Sequence, residues 1–173
     1  LTTAYPAIAR VNPTSDPSTS KTNEKWYVIF GSGPNGYQAD LPSSPSQTAK
    51  LYVVDLVQGP GAGNSNVTTM PIGSWRSFMN HVITVDKDLD YRVDVAYSGR
   101  TIHDGSLPWR GKLYRLTTGG CMNAPCSPMT WGVANGGNRA PTEVIDTFND
   151  PSLGTLEVGP ITAAPTVTID DAN

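Results

Sequence analysis

The stretch Asp86-Lys87-Asp88-Leu89-Asp90-Tyr91-Arg92-Val93-Asp94 sets three carboxylates at alternate positions and a fourth four residues further on. A backbone that curls here gathers hard oxygen donors around one point, which is the chemistry of a calcium loop. Ca²⁺ takes about six to eight oxygens at roughly 2.3–2.6 Å, and in EF-hand-type loops positions 1, 3, 5 and 9 supply side chains while position 7 offers its carbonyl. Those positions are Asp86, Asp88, Asp90 and Asp94, with the carbonyl of Arg92. Oxygen-only donors argue against zinc or copper.

Two positions depart from such a loop. Tyr91 stands where Gly usually makes the sharp turn, and a side chain there resists positive φ. Tyr97 stands where a bidentate Glu closes the site. The residues Arg92 to Tyr97 alternate and are β-branched, so the loop runs into a strand rather than a helix. The competing reading is an acidic solvated turn, since Asp favours turns through its own backbone hydrogen bonds. Four carboxylates in nine residues repel one another without a cation, which favours the ion.

The elements that must hold this loop are strands. The chain has 173 residues with 17 Gly, 15 Pro, 16% charged residues and a net charge of −3. Short β-branched and aromatic runs alternate with turn-rich stretches, and long helical periodicity is absent, so the fold class is all-β. No basic footprint for nucleic acid is present, and no apolar run approaches the roughly 20 residues that span a membrane. The chain opens at Leu1-Thr2-Thr3 and stops at Asp171-Ala172-Asn173, without signal peptide or initiator Met, and reads as a piece of something longer.

Cys121 and Cys126 are separated by four residues, Pro125 among them, and bracketed by Gly119-Gly120 and Pro128. That spacing suits a local disulfide in an exported protein better than a redox pair. On the chain-entropy account so small a loop stabilises by about 2 kcal/mol. Free buried thiols are the alternative.

Internal repeats organise the rest. Ala49-Lys50-Leu51-Tyr52-Val53-Val54 returns as Gly111-Lys112-Leu113-Tyr114-Arg115-Leu116. Upstream of each, a strand runs into Gly: Lys25 to Gly33 in the first copy, Arg92 to Gly99 in the second. His81 to Asp86 resembles Pro165 to Asp170, with Pro6 to Val11 in the corresponding place near the start. A fourth strand is expected around Val67 to Met70 and around Met129 to Val133. Four short antiparallel strands per repeat is the grammar of a β-propeller blade. The expectation is a partial propeller: blade one over about 5–75, blade two over about 80–160, and the first strand of a third over 163–173. Its apolar faces, with Trp26, Val28, Val53 and Leu113, need neighbours from the remaining blades or from another chain. A small sandwich is the alternative.

In this order the residues resemble the C-terminal propeller of PilY-type tip-associated biogenesis factors and adhesins of type IV pili. The likeness lies in Tyr5-Pro6-Ala7, Trp26 to Gly33, Lys50 to Leu56, the Asp86 to Asp94 loop, Ala96 to Gly99, Gly111 to Leu116 and Pro160 to Pro165. The resemblance implies a calcium-binding, non-catalytic segment at the pilus tip or cell surface of a Gram-negative-type bacterium. It implies support of pilus assembly, retraction control and adhesion, with minor pilus subunits and a host or abiotic surface as partners. Its calcium residues carry over onto Asp86, Asp88, Asp90 and Asp94, with the Arg92 carbonyl.

The contrasting class is a fragment of a quinoprotein-dehydrogenase-like propeller enzyme, which shares Trp-rich blades and calcium. Trp26, Trp75, Trp109 and Trp131 read instead as core aromatics of recurring strands. The acidic stretch Glu143 to Asp150 reads as a solvated loop, because its carboxylates are irregularly spaced. His103-Asp104 near Ser98 has no nucleophile-elbow motif to support a triad.

Overall fold

The computed structural model describes residues 4–11, 24–34, 47–73, 76–103, 108–118, 127–135, 138–150, 152 and 154–168. The expected Cys121–Cys126 disulfide and Trp75 lie outside the described residues.

Alternating β-branched and aromatic residues build the first sheet. β1 (Ala7–Val11), β2 (Lys25–Gly31), β3 (Ala49–Asp55) and β4 (Val67–Ile72) pair antiparallel in chain order as a four-stranded meander. Period-two alternation sends Tyr27, Ile29, Leu51 and Val53 to one face, where they are buried. Val28, Phe30, Tyr52 and Val54 therefore occupy the other face and stay only partly covered. Trp26 shares that outer face; it is 42% exposed, with the Arg10 guanidinium 5.8 Å from its ring. The expectation that Trp26 is a core aromatic is thus corrected by the pleat, which points it away from the face that buries Tyr27 and Ile29.

The second sheet is built from β5 (Ser77–Val85), β6 (Val95–Ile102) and β7 (Arg110–Thr117), with β10 (Thr142–Ile145) on its far edge. Pairing registers confirm the repeat: Gly31 faces Leu51 and Phe30 faces Tyr52 in sheet one, as Gly99 faces Leu113 and Ser98 faces Tyr114 in sheet two. The fourth strand of the second copy is not Met129 to Val133. Pro128–Thr130 is a 3-10 turn, and β8 (Val133–Asn135) pairs in a hairpin with β9 (Asn138–Ala140). The insertion displaces the edge position to Thr142–Ile145, part of the stretch expected to be a solvated loop. The remainder of that stretch forms β11 (Thr147–Asp150), paired with β12 (Gly154–Glu157).

The core lies between the two sheets. Ala9, Ile29, Leu51, Val53 and Met70 of sheet one meet Met79, Val82, Ala96, Tyr114 and Leu116 of sheet two. Fully burying side chains of this kind stabilises by about 1.5–3 kcal/mol each. Trp131, delivered by the insertion, is completely buried and meets Tyr27 edge-on at 5.3 Å. Arg139 holds its turn by donating to the carbonyls of Thr130 and Gly132, both at 2.6 Å. The other face of sheet two is crossed by the chain beyond β12: Gly111 N donates to Val158 O at 2.6 Å, and Asn80 Nδ2 donates to Ile161 O at 2.5 Å. Pro165 to Thr168, expected as a strand, belong to no ladder. Among the described residues the sheets are open and close into neither a barrel nor a ring.

Candidate metal centre

The Asp86 to Asp94 loop joins β5 to β6, and the Val85 to Val95 pair closes its base. Asp side chains organise it through short-range hydrogen bonds to backbone amides. Asp86 accepts from Tyr91 N at 2.6 Å and from Asp90 N at 3.2 Å, while Asp94 accepts from Lys87 N at 2.8 Å. This folding brings one carboxylate oxygen each from Asp86, Asp88 and Asp94 within 4.8 Å of one another, so the three can hold a metal ion.

Asp90 is turned differently. Its Oδ1 accepts from Arg92 N at 2.8 Å and its Oδ2 pairs with the Arg92 guanidinium at 3.0 Å. The sequence pattern placed Asp90 in the ligand set because it counts spacing; the neighbouring cation competes for that carboxylate. Arg92 also lies 3.9 Å from Glu24, which is in turn held by Arg10. Neither Glu24 nor Arg10 was legible as part of the site, since the link crosses from one repeat to the other.

Tyr91 does take the turn expected of glycine, with φ +68°, and Leu89 has φ +60°. Both side chains point to solvent, Tyr91 being 80% exposed. Beyond the turn the chain is fastened on both sides: Val93 N donates to Arg10 O on β1, and Thr118 N donates to Asp94 O, both at 2.8 Å. The Thr118 hydroxyl also donates to Val93 O.

Electrostatics distinguishes one carboxyl of the cluster. Desolvation first, then the negative charges of Asp90 and Asp94, hold the Asp88 carboxyl above its ordinary range. A divalent cation reverses that repulsion, because a cation next to a carboxylate favours its charged form.

The other acidic residues serve a different end. Glu143 accepts from Lys112 Nζ and from the Tyr114 hydroxyl, each at 3.0 Å, and Asp146 lies 3.5 Å from Lys112. Desolvation opposes the Asp146 charge, but Lys112 and hydrogen bonds from Thr147 outweigh it and lower the carboxyl. The Ser98 hydroxyl donates to Asn80 O at 3.2 Å inside the sheet, while His103 stacks on Trp109 at 4.4 Å. That pairing gives Trp109 an aromatic partner, as Trp131 has in Tyr27. Asp104 lies outside the described residues. Compared with known proteins, the chain matches no family model, no curated protein and no solved structure.

Proposed function

We propose that this chain is a calcium-binding, non-catalytic segment of a β-propeller, belonging to a type IV pilus tip protein of the PilY type and supporting pilus assembly or retraction and surface attachment. One observation carries the calcium part: Asp86, Asp88 and Asp94 converge within 4.8 Å in a loop whose backbone already takes a positive-φ turn at Tyr91. Three carboxylates with no nitrogen or sulfur donor among them fit a hard cation. The ion supplies charge neutralisation rather than chemistry on a substrate. Asp86, Asp88 and Asp94 hold it, and Asp90 with the Arg92 carbonyl are the further donors that the loop's spacing assigns.

The propeller part is supported by two four-stranded antiparallel sheets of matched register, packed face to face. The pilus part is supported by the order of the quoted stretches, which fall on β2, β3, the acidic loop, β6 and β7. The alternative quinone-type role draws ligands from several blades, whereas the converged carboxylates here come from one contiguous loop.

The test is thermal melting with and without calcium. Calcium raises the melting temperature of the wild-type chain, and Asp88→Ala abolishes that rise. An equal response before and after the substitution places the site elsewhere. In the source organism, loss of the gene lowers surface piliation; unchanged piliation overturns the pilus assignment.

A further inference from the structure

The two repeats do not use their equivalent faces alike. By register, Phe30 opposite Tyr52 and Val28 opposite Val54 take the places of Ser98 opposite Tyr114 and Ala96 opposite Leu116. In sheet two this face is closed, since Ala96, Tyr114 and Leu116 lie in the core against sheet one. In sheet one the same face carries Ile8, Val28, Val54 and Val67 in a row across β1 to β4. Phe30 stacks on Tyr52 beside that row at 5.3 Å. An open groove runs along it, lined by Val28, Phe30, Tyr52, Val54, Pro60 and Val67.

Chain order says what lies on each opposite face. A Cβ at Gly31 would come within 2.7 Å of the backbone oxygens of Met79 and Asn80, so β5 of the next repeat sits directly on that glycine. The equivalent Gly99 is covered in the same manner by Ile161, whose Cγ2 would lie 2.3 Å from an added Cβ. Each repeat therefore presents its glycine face to the chain that follows. The Tyr and aliphatic face receives the repeat that comes before.

We infer that the outer face of sheet one, at Val28, Phe30, Tyr52, Val54 and Val67, seats the glycine-bearing face of a further four-stranded sheet of this repeat, supplied by the same polypeptide. A second copy of the chain has no such face to offer. Its Gly31 face holds its own sheet two, and its Gly99 face holds its own Ile161. The inference rests on the propeller reading and is independent of the metal.

Hydroxyl-radical footprinting of the full-length polypeptide from its source tests it, with Tyr114 (6% exposed) and Tyr91 (80% exposed) as internal references. Tyr52 is expected to react within about twofold of Tyr114 and at least about fivefold more slowly than Tyr91, since a packed interface reaches interior density. A photo-crosslinker replacing Tyr52 is expected to capture a strand of the same polypeptide outside these 173 residues. Tyr52 reacting more than about twofold faster than Tyr114, or a crosslink to a second copy or an unrelated protein, overturns the inference. If Tyr52 is open while a photo-crosslinker replacing Val167 captures a strand of the same polypeptide outside these 173 residues, the seat fails and the propeller reading stands. If Tyr52 is protected in a protein indifferent to calcium, the seat stands and the metal reading fails.

Discussion

Tyr52 and Val54 in the first sheet and Tyr114 and Leu116 in the second share strand, register and pleat, yet only the second pair lies in the core. Local sequence sets which face a side chain points to; what lies across that face sets how much it stabilises. The sharpest way to break the comparison is to truncate the equivalent residue in each pair. In the 173-residue chain Leu116→Ala leaves a cavity between the sheets and is expected to cost about 2–5 kcal/mol, whereas Val54→Ala, on the face that is open there, costs under about 1 kcal/mol. Urea denaturation of the two variants measures the difference directly. Equal costs would mean that the outer face is already packed.

The glycines give a second contrast. Gly31 meets backbone, with Met79 O 2.6 Å from an added Cβ, so relief requires moving a strand. Gly99 meets the Ile161 side chain first, with Cγ2 2.3 Å and Cβ 2.7 Å from an added Cβ, and the Ile161 carbonyl oxygen only at 2.9 Å. Gly31→Ala is expected to cost about 1–3 kcal/mol, and Gly99→Ala less. In a double-mutant cycle Ile161→Gly, which removes both Cγ2 and Cβ, recovers part of the Gly99→Ala cost, and no side-chain truncation does so at Gly31. Melting curves of these proteins decide it. Recovery failing at Gly99 would place its constraint in the backbone as well.

Much of this architecture was legible beforehand. The Lys-Leu-Tyr repeat and the strand ending in Gly located β1 to β7, because alternation and turn residues act over a few neighbours. The edge strand of sheet two was missed for the opposite reason. Met129-Thr130-Trp131-Gly132-Val133 has strand composition, but Pro128 starts a 3-10 turn, and Trp131 gains more by filling the core against Tyr27. At the acidic loop, spacing pointed to Asp86, Asp88 and Asp94, which converge, and to Asp90, whose carboxylate is engaged by Arg92 two residues on. The Arg92–Glu24–Arg10 link could not be read at all, since it joins residues far apart in sequence and from different repeats.

The two shifted carboxyls, one in the loop and one beside β10, oppose each other in pH dependence. Asp88 is raised in the folded state, so the metal-free fold binds more protons there than the unfolded chain just above its ordinary value of 3.8. Stability therefore falls as pH rises through that window. Asp146 is lowered from the same ordinary value, so its contribution is present above 3.8 and is lost as pH falls through its folded value. Melting temperatures from acid to neutral pH in chelator should show Asp88→Asn removing a loss on the rising side and Asp146→Asn removing a gain. Both effects are small, because the groups are exposed. Saturating calcium reverses the sign of the Asp88 effect, because a bound cation favours its charged form, and leaves that of Asp146. Identical pH profiles for the two variants would contradict the opposed electrostatics.

The smallest effect separates a preformed loop from one ordered by its ion. In sheet one the connection from β3 to β4 takes positive φ at Asn64 and at glycines, residues that tolerate it. The metal loop takes it at Tyr91, where the left-handed region costs an L-residue about 1–2 kcal/mol. Tyr91→Gly removes that strain but adds about 0.5–1 kcal/mol of unfolded-chain entropy. The net gain is about 1 kcal/mol or less, roughly 2–4 °C at most for a chain this long. Asp86 accepts from Tyr91 N at 2.6 Å, a contact made within the loop itself that needs no ion, so the turn is expected to hold in chelator. The gain is therefore expected in chelator and nearly the same in calcium, with little change in affinity. A gain seen only as tighter calcium binding, with the metal-free melting temperature unmoved, would show instead that the ion itself forces Tyr91 into the turn.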